Sequence, residues 1–126
     1  MTGMAMTGID YQLLANAGFP PVSFAAGKVI FGQGDKGDKM YVVRSGEVAI
    51  ERDGAVVETV GEGGIFGEMA LIDGSPRAAT ARAKTPCEVV ALSEKTFLFL
   101  VHETPYFAIA VMRTLADRLR RSNARG

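Results

Sequence analysis

The sequence predicts a mainly β domain with flanking helices, an α+β fold, from two observations. Between Val22 and Leu92, short apolar runs alternate with glycine-bearing turns, as in a β-sandwich or barrel. After Leu92, apolar residues recur at three- and four-residue steps, which indicates helices. The chain has 126 residues, 48% of them apolar and 22% charged, enough to bury one core without disulfides or a metal. We therefore expect a single domain over residues 10–126.

The N-terminal segment precedes the predicted β region. Residues 1–9 are expected to form a flexible leader, and residues 10–16 a short helix that Asp10 caps and Gly18 ends. The leader has no basic region followed by an apolar one, so it lacks the pattern of a secretory signal and a cytoplasmic location is expected. The prolines at 20–21 then favour extended backbone and the first strand.

Turn dipeptides divide the β region into strands. Asp53-Gly54 lies between two apolar-rich runs and predicts a hairpin, because a type I′ turn needs positive φ at both central residues. Ser45-Gly46 also lies between apolar-rich runs. The glycines of residues 61–64 predict a loop, and since no βαβ unit follows them they are not a dinucleotide fingerprint.

Two helices are predicted after the β region. Ser93 is placed to cap a helix that extends to about Val101, and Thr104-Pro105 is placed to start a second one. The second helix carries an apolar stripe that consists of Phe107, Ala108, Val111, Met112, Leu115 and Leu119, with Arg118 beside it. The stripe either packs against the β domain or pairs with a second subunit, and the sequence leaves both interpretations open.

Charge and two single residues argue against several classes of function. The 14 basic and 14 acidic side chains cancel, so bulk charge indicates no nucleic-acid partner, and the C-terminal arginines are interpreted as solvated. No apolar stretch reaches the ~18 residues that a membrane span needs. Cys87 has no second cysteine to pair with and is interpreted as a small core residue. His102 is the single histidine, so we expect neither a multi-histidine metal site nor a catalytic triad, and no enzyme.

Residues 66–80 combine a glycine, a carboxylate and an arginine at a spacing that suits a phosphorylated sugar. Gly67 lets backbone N–H groups approach an anion closely, and a helical turn over residues 69–72 would point its free N–H groups at the same anion. Arg77 can add a charge-assisted contact to phosphate oxygens. Glu68 repels phosphate, so its natural partner is a sugar hydroxyl. The alternative is a plain ion pair between Glu68 and Arg77.

This stretch resembles the phosphate-binding cassette of cyclic-nucleotide-binding domains, the type shared by catabolite activator protein, protein kinase A regulatory subunits and nucleotide-gated channels. The family pattern is matched at Phe66, Gly67, Glu68, Ala70, Leu71, Pro76, Arg77, Ala79 and Thr80. Upstream, the order of residues 27–31, 34–38, 41 and 45–46 also fits. The resemblance extends over residues 20–121 and implies an antiparallel β jelly-roll barrel with a short N-terminal helix, a cassette helix and two C-terminal helices.

The resemblance implies a role for each matching residue. Glu68 corresponds to the glutamate that binds the ribose 2′-hydroxyl and Arg77 to the arginine that pairs with the cyclic phosphate. The implied ligand-binding residues are Gly67, Glu68, Met69, Ala70, Arg77 and Ala78. Members that prefer cyclic GMP often carry Thr or Ser where this chain has Ala78, so the implied ligand is cAMP rather than cGMP.

The rest of the pocket is less specified by the sequence. The expected lining residues are Val42, Ile65, Phe66, Leu71, Leu115 and Leu119. Ordinary core packing explains Val42, Ile65 and Leu71 equally well. A lid over the base is expected from the C-terminal helices, with Leu115, Leu119, Arg118 and Arg121 as candidates by position.

The predicted function is a cyclic-nucleotide sensor domain whose C-terminal helices move when ligand binds. Its output would pass to a protein partner or to a second copy of the chain through the last helix. The alternatives are an interaction module of the same fold that has lost ligand binding, and an excised ligand-binding domain of a channel or transcription regulator. A helix-turn-helix is not found before the sequence ends at Gly126, so direct DNA binding is not expected.

Overall fold

A computed structural model describes residues 19–125, with side chains up to Arg121. The strands are β1 (Val22–Phe24), β2 (Val29–Phe31), β3 (Lys39–Ser45), β4 (Val48–Arg52), β5 (Ala55–Val60), β6 (Ile65–Phe66), β7 (Thr80–Ala83) and β8 (Cys87–Ser93). The helices are α1 (Glu68–Asp73), α2 (Glu94–Glu103) and α3 (Tyr106–Arg125). The predicted leader at residues 1–9 and the predicted helix at residues 10–16 lie outside the described residues.

The strands form two four-stranded antiparallel sheets. The first has the order β1-β8-β3-β6 and the second the order β2-β7-β4-β5. Among the described strands no pairing joins the two sheets, so they face each other without closing a hydrogen-bonded barrel. The prediction of a mainly β jelly roll with a cassette helix and two C-terminal helices is confirmed.

The first sheet is covered on both faces, which explains why its strands are so apolar. Between the sheets lies a buried cluster made of Val43, Val48, Val60, Phe66, Ala81, Ala83, Cys87 and Val89. On the other face, helices α2 and α3 close a second cluster made of Met40, Val42, Ile65, Val90, Leu92, Leu100, Phe107, Ala110 and Val111. Successive strand residues such as Val89 and Val90 therefore belong to different clusters, as the alternation of a strand requires.

The two turn dipeptides have different roles in the fold. Asp53 and Gly54 both have positive φ, 52° and 84°, and connect β4 to β5 where Arg52 pairs with Ala55. The predicted hairpin is therefore confirmed. Residues 45–46, by contrast, lead from β3 in the first sheet to β4 in the second, so this turn is a crossover between sheets.

The C-terminal helices begin and end close to the predicted residues. The hydroxyl of Ser93 accepts a hydrogen bond from the Thr96 amide at 3.3 Å and caps α2, and Thr104 separates α2 from α3. On α3, Phe107 is buried in the core, whereas Met112 and Leu119 are 54% and 62% exposed. Part of the apolar stripe thus packs against the β domain, whereas Met112 and Leu119 face outward. None of the described helices is long and apolar enough to cross a membrane.

Candidate functional site

A cavity of about 180 Å³ opens between the second sheet, helix α1 and helix α3. Its lining residues are Phe31, Ile50, Arg52, Val57, Glu58, Phe66, Gly67, Glu68, Met69, Ala70, Pro76, Arg77, Ala78, Ala79 and Arg118. All six residues that the sequence proposed as ligand-binding are in this set. The fold therefore brings the segments before and after α1 to one cavity, together with residues of β4, β5 and α3.

Arg77 is the buried cation of the cavity. It is 6% exposed, and its Nη1 and Nη2 donate hydrogen bonds to the carbonyl oxygens of Gly67 at 2.8 Å and Lys39 at 2.9 Å. Its Nε is buried and has no hydrogen-bond partner. The guanidinium also lies over the Phe31 ring, 4.0 Å from the ring centre, a cation–π contact that favours the positive charge at this place. The buried Nε–H of Arg77 thus remains an unused donor inside the cavity wall.

The loop between β2 and β3 fixes the backbone and the side chain of Arg77. The Arg77 amide donates to the Asp35 carbonyl at 2.8 Å, and the Arg77 carbonyl accepts from the Gly34 amide at 2.7 Å. A Cβ atom on Gly37 would overlap the Arg77 guanidinium. This glycine has no positive φ in the structure, so it is required for space and not for backbone conformation.

Gly67 precedes α1 in the left-handed conformation, with φ 75° and ψ 15°. A Cβ atom there would lie 2.7 Å from Arg77 Nη1 and 3.1 Å from Phe31 Cε2, so only glycine fits without movement. No side chain caps the first turn of α1, and its N–H groups have no intrahelical partners. The predicted helical turn at residues 69–72 is confirmed and extends to Glu68–Asp73.

The end of α1 is held by a short polar turn. Gly74 has φ 74° and its amide donates to the Ala70 carbonyl at 3.0 Å. The Asp73 Oδ1 accepts from the Ser75 amide at 2.9 Å and from the Ser75 hydroxyl at 2.6 Å. These two hydrogen bonds, the hydroxyl first, lower the pKa of the Asp73 carboxyl. The chain therefore reverses within a few residues and brings Arg77 back to the cavity.

Glu68 is the buried anion of the cavity, 7% exposed. Its Oε1 lies 3.0 Å from Nη1 of Arg118, an ion pair whose angles are not those of a hydrogen bond, so that oxygen has no hydrogen-bond partner. Arg118 in turn binds both carboxylate oxygens of Glu58, at 3.1 and 3.2 Å. In the described part of the chain Glu68 forms no ion pair with Arg77, so the plain ion-pair alternative does not describe this structure.

The residues proposed for the rest of the pocket divide into two groups. Phe66 lines the cavity. Val42 and Ile65 are fully buried in the cluster beneath the helices, where Leu71 and Leu115 pack against them, and Leu119 is exposed. None of these five is among the lining residues that the structure describes.

Three residues of the site, Phe31, Gly37 and Glu58, were not among those that the sequence predicted to bind ligand or line the pocket. Phe31, Gly37 and Glu58 lie 46, 40 and 19 positions before Arg77 along the chain, and only the fold brings the first two to its guanidinium and the third to Arg118. The signals available were the order of segments 27–31 and 34–38, which fits the family and contains Phe31 and Gly37, and the acidic Glu58 within an apolar strand.

The other chemically active groups lie away from the cavity lining. Cys87 is buried between the sheets, and burial raises the pKa of its thiol, which disfavours the reactive thiolate. His102 on α2 is exposed beside Glu103. Within residues 19–125 no group of three or more His, Cys, Asp and Glu side chains is placed to hold a metal ion.

Comparisons with known proteins support the family and the fold. Catabolite activator protein from Thermus thermophilus is 34% identical, with a TM-score of 0.79, over 98% of this chain and 59% of its own. The N-terminal domain of a transcriptional regulator from Streptomyces coelicolor A3(2) is 34% identical, with a TM-score of 0.65, over 94% of this chain and 87% of its own. The cAMP-bound structure of PfPKA-R is 28% identical, with a TM-score of 0.73, over 92% of this chain and 41% of its own.

The present chain therefore spans less than two thirds of the length of the catabolite activator protein that it resembles. The family model for the cyclic nucleotide-binding domain matches residues 21–104, which include both sheets, α1, α2 and the whole 66–80 segment. The predicted family is confirmed: this chain belongs to the cyclic nucleotide-binding domain family.

Proposed function

We propose that this chain is a regulatory domain that binds cAMP in preference to cGMP and does no chemistry on it. The observation that carries the proposal is the state of Arg77, a buried guanidinium whose hydrogen-bond acceptors are neutral carbonyls. Among the described residues, no carboxylate lies within ion-pair distance of it. A buried cation without a counter-ion is costly. An anionic phosphate in the cavity would supply that charge and accept from the unused Nε.

Glu68 supports the sugar part of the proposed ligand. Its buried Oε1 lacks a hydrogen-bond donor, and a ribose 2′-hydroxyl is a donor of the right size. Apolar side chains of Ile50, Val57 and Met69 line the same cavity and offer a surface on which a purine can pack. The phosphate of the ligand would thus contact Arg77, its ribose hydroxyl Glu68, and its base the apolar side chains of the cavity.

The preference for cAMP rests on Ala78, which lines the cavity directly after Arg77. A Thr or Ser hydroxyl at this position could accept from the exocyclic amino group of guanine, and alanine cannot. The PfPKA-R structure, whose ligand is cAMP, is 28% identical to this chain. Both observations favour cAMP over cGMP.

The output of the domain is proposed to pass through the C-terminal helices. Helix α3 carries Arg118 into the cavity wall and carries exposed apolar side chains, Ile109, Met112 and Leu119, on its outer face. A ligand shifts a conformational equilibrium only by contacting one state better than the other, and α3 contacts the site directly. We propose a second copy of this chain, or another protein, as the partner on the outer face.

The rival function is an interaction module that keeps this fold without binding a ligand. Such a module would have no need for a buried arginine with an unused donor or for a buried glutamate oxygen with no donor. In this structure the Nε of Arg77 has no acceptor and the Oε1 of Glu68 has no donor. Both observations favour the ligand-binding function.

Thermal unfolding with cAMP, cGMP and 5′-AMP tests the proposal. Ligand at 100 times its Kd should add about 2.7 kcal/mol to the free energy of unfolding, which corresponds to several degrees in melting temperature for a domain of this size. Of the three nucleotides, cAMP should raise the melting temperature at the lowest concentration. Calorimetry on Arg77→Ala should show at least tenfold weaker binding, since a charge-assisted hydrogen bond contributes ~1.5–3 kcal/mol.

Arg82→Ala is the matched control for the Arg77 variant. Arg82 lies on β7, pairs with Glu51 and is outside the cavity lining, so its loss should leave the affinity unchanged. A wild-type protein that neither cyclic nucleotide stabilises would overturn the proposal and support the interaction module.

A further inference from the structure

Arg52 lies at the mouth of the ligand cavity, where the cavity wall meets solvent. It is the last residue of β4 and lines the cavity together with Ile50, two positions earlier on the same face of the strand. Ile50 is half-buried against the cluster between the sheets, whereas Arg52 is exposed. The strand therefore ends, on its cavity face, in a positive charge that water can reach.

Hydrogen bonds hold Arg52 and the turn after it against the segment that carries Arg77. The Nε of Arg52 donates to the carbonyl oxygen of Ala78 at 3.4 Å. The Oδ1 of Asp53 accepts from the side-chain amide of Gln33 at 3.1 Å, and the Asp53 amide donates to the Gln33 Oε1 at 3.0 Å. The turn between β4 and β5 is thereby tied to the loop after β2, which also holds the backbone of Arg77.

Among the residues that the structure describes, Arg52 has no acidic partner. The two acids that flank it in the sequence both have other partners. Glu51 pairs with Arg82 on β7 at 3.1 Å, and the Asp53 carboxylate accepts from Gln33. The charge of Arg52 is therefore not used in an ion pair of the fold.

The three arginines of the cavity lining are in different environments. Arg118 is ion-paired with Glu58 and Glu68, and Arg77 is 6% exposed. Arg52 is exposed and unpaired in the described part of the chain. An exposed charge acts through water over about 8 Å at physiological ionic strength, so Arg52 can act on an anion that has not yet entered the cavity. The buried Arg77 acts mainly on an anion that has.

We infer that Arg52 is a capture residue: it attracts the anionic ligand to the cavity mouth and raises the rate of association, whereas Arg77 holds the ligand once it is bound. A cation at the edge of a cleft with low-dielectric walls raises the local concentration of an oppositely charged ligand, and the effect falls as ionic strength rises. This inference rests on the proposed function, because the ligand is a cyclic nucleotide with one negative charge.

Stopped-flow fluorescence tests the capture role, with cAMP that carries an uncharged fluorophore on N6. In about 20 mM salt, Arg52→Glu should associate at least about threefold more slowly than the wild type. Arg52→Lys keeps the charge and should restore most of the rate. The difference should largely disappear in about 1 M salt, where the Debye length is about 3 Å. The dissociation rate of Arg52→Glu should stay within about twofold of the wild type.

Lys95→Glu is the matched control, because it changes the net charge by the same amount at an exposed position of α2 outside the described cavity lining. It should associate as fast as the wild type. Equal association rates of the wild type and Arg52→Glu would overturn the capture role and leave the proposed function in place. So would a loss of affinity that lies entirely in the dissociation rate. A wild type that binds no cyclic nucleotide would overturn the proposed function and this inference with it.

Arg52→Gln keeps the inference testable if Arg52→Glu does not fold. The glutamine removes the charge and retains an amide donor for the Ala78 carbonyl oxygen. Slower association in low salt, in a protein with a near-normal melting temperature, supports the capture role, and an unchanged rate contradicts it.

Discussion

Gly37 shows how strongly one small residue constrains the proposed site. A methyl group in place of its hydrogen would overlap the Arg77 guanidinium, so Gly37→Ala must displace Arg77 or the loop that holds it. We expect at least tenfold weaker cAMP binding, as for loss of the arginine contact. Calorimetry on the purified variant, with its melting temperature as a check on folding, measures this.

Gly61→Ala is the matched control for Gly37→Ala. A Cβ atom on Gly61 has no other atom within 4 Å, and neither glycine has a positive φ. Equal affinities of the wild type and Gly37→Ala would mean that Arg77 need not occupy its present position in order to bind ligand.

Individual cassette residues were predictable because each has a chemical reason to be there. A glycine before α1, a glutamate within it and an arginine after it suit a phosphate next to a hydroxyl. The residues that strands contribute to the cavity wall were harder to predict, because neighbouring residues of a strand point to opposite faces. Phe66 lines the cavity while Ile65 points into the core under the helices, and the sequence offers no means to tell the two apart in a two-residue strand.

Helix α3 has one face in the core and another in solvent. Phe107, Ala110 and Val111 are buried against the first sheet. On the outer face Ile109, Met112 and Leu119 are exposed, and the spacing from Met112 to Leu119 is one heptad. An apolar row at this spacing suits a partner helix of the same kind.

We expect the chain to form a dimer through this outer face. Met112→Glu should convert the dimer to a monomer, because two carboxylates would oppose each other in an apolar contact. Sedimentation measures the change. Val56→Glu is the control, since Val56 is exposed to a similar extent, 59%, on β5. A wild type that sediments as a monomer at high concentration would contradict the expectation.

At the level of elements, local signals were reliable and distant pairings were not. The Asp53-Gly54 hairpin and the Ser93 cap depend on neighbours in the sequence, and both are present. The pairing of Arg118 with Glu58 joins residues 60 positions apart. It depends on how α3 lies across the sheet, which the apolar stripe of the helix alone does not determine.

In the whole molecule, two buried apolar clusters, one on each face of the first sheet, hold the elements that form the site in place. The first sheet has the other sheet on one face and α2 and α3 on the other, so its position relative to α3 is set by buried apolar contacts. The fold class was predictable from apolar patterning and turns. The arrangement as two open sheets was not, because it depends on which strands pair, and the crossover at residues 45–46 resembles a hairpin turn in sequence.

The lining of the cavity also has a charge. Among the residues that the structure describes, it contains three arginines, Arg52, Arg77 and Arg118, and two glutamates, Glu58 and Glu68, and therefore has one positive charge in excess. A cyclic phosphodiester carries one negative charge and balances it, whereas 5′-AMP near pH 7 carries nearly two, since its second pKa is about 6. The second charge would be left uncompensated in a partly buried place.

Charge balance alone would therefore select closed phosphodiesters over open monoesters. Below pH 6, 5′-AMP gains a proton, and its single negative charge then balances the charge of the cavity. The affinity for cAMP divided by the affinity for 5′-AMP should therefore fall as the pH decreases from 7.5 to 5.5. Competition of 5′-AMP against cAMP over this range measures the ratio. A constant ratio would show that shape, and not charge, distinguishes the ring from its hydrolysis product.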